Sequence, residues 1–149
     1  MKKFLIAAMM ALTAMSASAI ELGINTTRSY ADETSNGVGI TVGQTYGKLG
    51  VSVGFDQFAQ GSEDQNIFSL NGSYQLFKIG TAIIGATAGV AYLDNKTSVD
   101  GYAMLIGANA SIPVTKTVSF EIGVSRLYGQ DRVKSSNGNN VTAGLTYSF

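Results

Sequence analysis

The chain contains neither cysteine nor histidine. Without them there are no disulfides, no Ser-His-acid or Cys-His nucleophilic arrangement and none of the common zinc sites, so the usual hydrolytic chemistries lack their residues. Proline occurs once, at Pro113, and charged residues make up only 13% of the sequence. Ten basic residues balance ten acidic ones, which leaves no basic face to hold nucleic acid. Beyond Ala19 no apolar run approaches the roughly 20 residues of a transmembrane helix. The 18 glycines follow no triplet period, which excludes collagen.

What is present begins with Lys2 and Lys3, an apolar run from Phe4 to about Leu12, and Ala17-Ser18-Ala19. These are the charged, hydrophobic and small-residue zones of a secretory signal. The order predicts a signal peptide over residues 1–19 and a single exported domain over residues 20–149. Loss of the two signal lysines leaves eight basic residues against ten acidic ones, a mildly acidic product.

The exported part alternates. At its end Val141, Ala143, Leu145, Tyr147 and Phe149 share one parity, while Thr142, Gly144, Thr146 and Ser148 share the other. Strict period two is the mark of a strand with two unlike faces. The same pattern recurs in Leu22/Ile24, Val38/Ile40/Val42/Tyr46, Val51/Val53/Phe55, Phe68/Leu70/Tyr74/Leu76, Ile84/Ala86/Ala88/Val90/Tyr92, Tyr102/Met104/Ile106 and Val118/Phe120/Ile122/Val124/Tyr128. Asn71-Gly72 has the composition of a hairpin turn, but the alternation passes through it without a change of phase, which predicts continuous strand.

Between strands the connectors are of two kinds. Tight turns are expected near Gly47-Lys48, at Phe77-Lys78-Ile79-Gly80 and at Val114-Thr115-Lys116, after a strand ended by Pro113. Longer polar tracts are expected at 31–37, 60–66, 94–100 and 129–140, and they carry most of the acids. Eight strands joined by alternating short and long connectors form an up-and-down meander with two different ends.

Residue volume decides which face is wet. The minor parity is made largely of Gly, Ser, Thr and Asn, with Glu21, Asp56 and Glu121 among them. A water-exposed outer surface would carry long charged side chains instead. Small polar residues suit the narrow interior of an eight-stranded barrel, and the bulky parity then faces hydrocarbon. Aromatic residues test this. Tyr30, Phe68, Tyr92, Tyr102 and Tyr128 fall toward the long-connector end of the bulky face, and Tyr46, Tyr74, Phe120, Tyr147 and Phe149 toward the short-turn end. Two such belts are expected where a barrel meets the two interfaces of a bilayer. The expected fold is therefore all-β, an eight-stranded antiparallel up-and-down transmembrane β-barrel.

Signal, alternating strands, unequal connectors and the final Tyr147-Ser148-Phe149 together resemble the small outer-membrane barrels of Gram-negative bacteria, of the OmpX/Ail-like and OmpA membrane-domain kind. The resemblance covers the whole of residues 20–149 and rests on pattern rather than on a long motif. It implies residence in the bacterial outer membrane, contact with membrane lipid and lipopolysaccharide, and insertion by the barrel-assembly machinery, with Tyr147 and Phe149 carrying the assembly signal. It implies no nucleic-acid partner, and a monomer.

Candidate functional residues are few. The lumen acids Glu21, Asp56 and Glu121 have no evident Lys or Arg on their own parity, and unpaired buried charge is costly, so a wet lower lumen is expected around them. No cofactor is implied. Arg28 and Arg126 share the outward parity near the long-connector rim, where they could meet lipopolysaccharide phosphates. The function expected is a structural or surface-interaction role without enzymatic activity. A narrow, mildly cation-preferring passive pore is the alternative, followed by a soluble exported barrel that binds a ligand inside.

Overall fold

In a computed structural model the alternating segments pair in chain order and close on themselves, β1 to β8. The structure describes residues 20–30, 34–60, 63–95, 100–129 and 137–149; the expected signal peptide, residues 1–19, lies outside the described residues. The strands are β1 Ile20–Tyr30, β2 Thr34–Tyr46, β3 Leu49–Gln60, β4 Glu63–Ile79, β5 Ala82–Asn95, β6 Gly101–Pro113, β7 Val118–Gly129 and β8 Gly138–Ser148. All pairings are antiparallel.

Closure is made by β8 against β1, where Glu21 faces Ser148, Ile24 faces Leu145 and Arg28 faces Val141. Beyond the ladder, the Phe149 N–H donates to the Ile20 carbonyl at 2.9 Å and the Ser148 N–H to the Thr117 carbonyl at 2.8 Å. Every strand thus has two neighbours. A closed sheet presents no row of unpaired N–H and C=O groups, the condition for crossing hydrocarbon with strands.

The two faces separate by size as the alternation requires. Ile24, Val38 and Ile40 on the outside expose 63%, 65% and 57% of their surface. An apolar band of this extent would promote aggregation in water but matches hydrocarbon. Rings pair along it, with Phe55 and Phe68 at 4.9 Å, Tyr92 and Tyr102 at 5.3 Å, and Tyr147 and Phe149 at 4.8 Å between centroids. In β5, Gly85 pairs with Asn109 and Thr87 with Gly107, so Ile84, Ala86, Ala88, Val90 and Tyr92 face outward.

Asn71-Gly72 remains inside β4, where Asn71 pairs with Ser52 on one side and Gly89 on the other. The turn expected at Phe77–Gly80 falls elsewhere. β4 continues to Ile79 after a bulge at Leu76, between Gln75 and Phe77, and the chain reverses at Gly80-Thr81. Gly80, like Gly47 in the first short turn, takes a positive φ of about 60°, which a residue without Cβ adopts freely. The third turn is held by the Thr115 hydroxyl, which accepts from the N–H groups of Thr117 and Val118 at 3.2 and 2.9 Å.

The long connectors are also shorter than composition suggests. Residues 34–37 lie in β2, Gln60 in β3 and 63–66 in β4, Asp94 and Asn95 in β5, and 138–140 in β8. Polar residues read as loop in isolation. A ladder that is already registered extends through them, because each added residue gains backbone hydrogen bonds.

Candidate functional site

The lumen is the one space enclosed by all eight strands, and it has two unlike halves. Toward the long connectors, Phe58, Ile67, Ala91, Leu93, Ala103 and Leu127 form a buried apolar cluster with Leu105 against it. These come from five consecutive strands, β3 to β7, at positions of inward parity. Leu93 is 0% exposed and Phe58 2%. The Phe58 ring spreads over Gly37, where an added Cβ would lie 2.8 Å from Cδ1 and 2.9 Å from Cε1. On β8, β1 and β2 the buried inward residues are polar, Asn140, Thr27 and Ser35, of which Asn140 and Thr27 also line the hollow part of the lumen, and the Thr27 and Thr142 hydroxyls stand 3.1 Å apart.

Toward the short turns the lumen is hollow. A cavity of about 380 Å³ is lined by Glu21, Asn25, Thr41, Ser52, Asp56, Ser69, Asn71, Ser73, Thr87, Asn109, Ser111, Glu121, Thr142 and Thr146 among others, with no Lys or Arg among the described residues. All three acids singled out in the sequence line it. Asn25 Nδ2 donates to Asp56 Oδ1 at 3.1 Å. Glu121 accepts hydrogen bonds from the Thr146 and Ser111 side chains and lies close enough to Glu21 for their charges to repel. Glu21 and Glu121 are thus brought together, and Asp56 is held apart from them beside Asn25.

Among the described residues no three His, Cys, Asp or Glu side chains converge as a metal site would require. The chemistry that this lumen offers is recognition by acceptors. The apolar cluster was missed in the sequence because the minor face was characterised from strand centres. Carrying the parity of Asp56 to Phe58, of Ser69 back to Ile67 and of Gly89 on to Leu93 would have found it.

On the outer face, Arg28 and Arg126 each stand two residues before a tyrosine. Their guanidinium carbons sit 5.4 Å from the Tyr30 ring centroid and 5.3 Å from that of Tyr128. Spacing by two puts each pair on one face. Arg28 is opposite Val141 and Arg126 opposite Asn139, so the two cations flank β8 at its outer end. Two strand spacings separate them, about 10 Å. Tyr147 and Phe149 project outward at the other end of β8, with their rings packed edge to face.

A closed eight-stranded barrel with an apolar outer face, aromatic belts toward both ends and a partly filled lumen is the architecture of the small transmembrane barrels of the bacterial outer membrane. The sequence matches no protein-family profile and no curated protein sequence. Solved structures match it in fold. The N-terminal barrel of Pseudomonas aeruginosa OprF superposes with a TM-score of 0.73 at 16% identity, over 89% of this chain and 98% of that one. Neisserial surface protein A gives 0.68 at 14% identity, over 88% and 96%. Ail of Yersinia pestis in a phospholipid nanodisc gives 0.57 at 14% identity, over 89% and 100%.

Proposed function

We propose that this chain is a structural or surface-interacting barrel of the outer membrane that neither conducts nor catalyses. The observation that carries the reading is the apolar cluster from Phe58 to Leu127 across the outer half of the lumen. A water path would have to pass buried apolar side chains from five of the eight strands, which offer it no partner, and a hydrophobic constriction of this kind blocks ions by staying dry. The passive-pore alternative needs that cluster to part. Reconstitution into planar bilayers tests it: the expected result is no discrete conductance above that of protein-free bilayers, and regular open steps would replace this reading with the pore.

Arg28 and Arg126 are the residues proposed to meet lipopolysaccharide phosphates. Arg holds phosphate with two parallel hydrogen bonds, and stacking on Tyr30 and Tyr128 keeps each head extended at the rim. Changing both to Gln is expected to reduce co-purifying lipopolysaccharide several-fold, and unchanged retention would remove that role. Residues 1–19 are proposed to export the chain. β8 with Tyr147 and Phe149 is proposed to be the strand that the barrel-assembly machinery reads, by strand addition to a sheet edge. The paired edges of the closed sheet favour a monomer.

A further inference from the structure

The hollow half of the lumen carries more hydrogen-bond acceptors than donors. Glu21, Asp56 and Glu121 line it without a Lys or Arg among the described residues. In addition, Asn25 Oδ1, Asn71 Oδ1 and Asn140 Oδ1 are buried with no donor, and all three residues line the same cavity. Asn140 is only 5% exposed. Rotating the amides of Asn25 and Asn71 does not cure the deficit, because their Nδ2 groups already donate to Asp56 Oδ1 and Ser69 Oγ, both at 3.1 Å. Buried acceptors without donors are costly. A cationic, donor-rich guest would answer both the charge and the unmet acceptors.

The acceptors are strung out rather than gathered. Glu121, Gly144, Asn25, Gly39 and Asp56 follow one another along a single row of cross-strand partners from β7 to β3. The same row continues from Asp56 to Ile67 and Leu93, and so runs into the apolar cluster. Four strand spacings of about 4.8 Å at a tilt of roughly 40° lift the row by about 12 Å from Glu121 to Asp56. The two glycines keep it uncovered: a Cβ at Gly39 would fall on the Asp56 carboxylate and 2.5 Å from Asn25 Oδ1. Glu21 is within electrostatic reach of Glu121 at the low end. A compact metal ion cannot reach such a series at once, whereas ammonium groups joined by short methylene chains can.

We propose that the lumen is a receptor, open at the short-turn end, for a linear di- or polyamine. One ammonium group lies between Glu21 and Glu121, a second beside Asp56 and Asn25, and the methylenes run over Gly144 and Gly39 and stop beneath the apolar cluster. This site is on the opposite face of the sheet from Arg28 and Arg126, so it stands or falls independently of the lipopolysaccharide reading.

Spermidine and putrescine are the probes, titrated calorimetrically into the detergent-solubilised, folded barrel at moderate salt, with empty micelles as control. The expected result is saturable binding of one spermidine per barrel, weaker binding of the shorter putrescine, and no displacement by equimolar Mg²⁺. Asp56→Asn and the double change Glu21→Gln with Glu121→Gln should each weaken spermidine at least tenfold, in protein that still migrates as the heat-modifiable folded species. A measurement on the unmodified protein needs no variant: spermidine should shift the amide NMR resonances of Gly39 and Gly144 and leave the outer rim unmoved. Heat no different from micelles, tight binding of Mg²⁺ in place of the amine, affinity unchanged in folded variants, or shifts confined to the outer rim would each overturn the proposal.

Discussion

The outer and inner halves of the lumen are walled by the same eight strands with the same alternation, yet one is packed with hydrocarbon and the other is hollow and acidic. Alternation decides which side chains point inward. It does not decide whether those side chains meet. In the outer half, Phe58, Ile67, Leu93, Leu105 and Leu127 are long enough to touch across a narrow barrel. In the inner half glycine, serine, threonine and asparagine dominate and leave a cavity of about 380 Å³. The outer half thus stabilises the barrel as any core does, through burial and close packing. The inner half contributes less to stability and keeps its polar groups available.

The sharpest way to break this contrast is to put the same charge into each half. Leu93→Asp places a carboxylate at a position with 0% exposure and apolar neighbours. It should cost several kcal/mol, more than such a barrel can spare, and the heat-modifiable folded band should vanish from unboiled SDS gels. Ser73→Asp, in the hollow half, should keep that band and change the unfolding free energy from urea titration by less than about 1 kcal/mol. Equal damage from both would mean that the halves are not different media.

Phe58→Ala should come next. Truncating a buried phenyl group costs about 3–5 kcal/mol where the site cannot collapse, read as a lower urea midpoint. It also vacates the space over Gly37 and extends the inner cavity toward the outer rim, so discrete conductance should appear in planar bilayers where the unmodified barrel gives none. A variant that folds and stays silent would show that Leu93 and Leu127 seal the lumen by themselves.

Smaller effects should mark the inner half and the outside. Glu121→Gln removes the repulsion from Glu21 and keeps a side chain that Thr146 and Ser111 can bond. The unfolding free energy from urea titration should therefore rise, by up to about 1 kcal/mol at neutral pH, as relief of one partly hydrated like-charge pair allows; a fall would mean that the pair is already neutralised by a bound cation. Arg28→Gln with Arg126→Gln should leave the unfolding free energy within about 0.5 kcal/mol, since exposed cations over exposed rings contribute little to folding. Lipopolysaccharide retention alone should change.

Much of this was legible residue by residue. Eight strands, their facing, the unbroken passage through Asn71-Gly72 and the lumen placement of Glu21, Asp56 and Glu121 follow from period two and side-chain volume. Strand ends were less legible. Phe77-Lys78-Ile79 lost its alternation because a bulge at Leu76 shifts the phase, and a bulge is set by cross-strand pairing. The polar segments at 34–37 and 63–66 read as connectors because nothing local distinguishes a polar strand end from a loop.

The sequence by itself determined the barrel and its two environments, because alternation with one bulky and one small face has a low-energy solution only when the sheet closes with the bulky side in hydrocarbon. The tertiary structure alone decided what the lumen is. Phe58 of β3 lies far in sequence from Leu93 and Leu127, and Glu121 from Asn25 and Asp56; shear and closure pack the first three into one cluster and set the other three along one cross-strand row. A packed outer half and an acceptor-rich inner half are properties of that register, which depends on hydrogen bonding between strands and not on any one strand's residues.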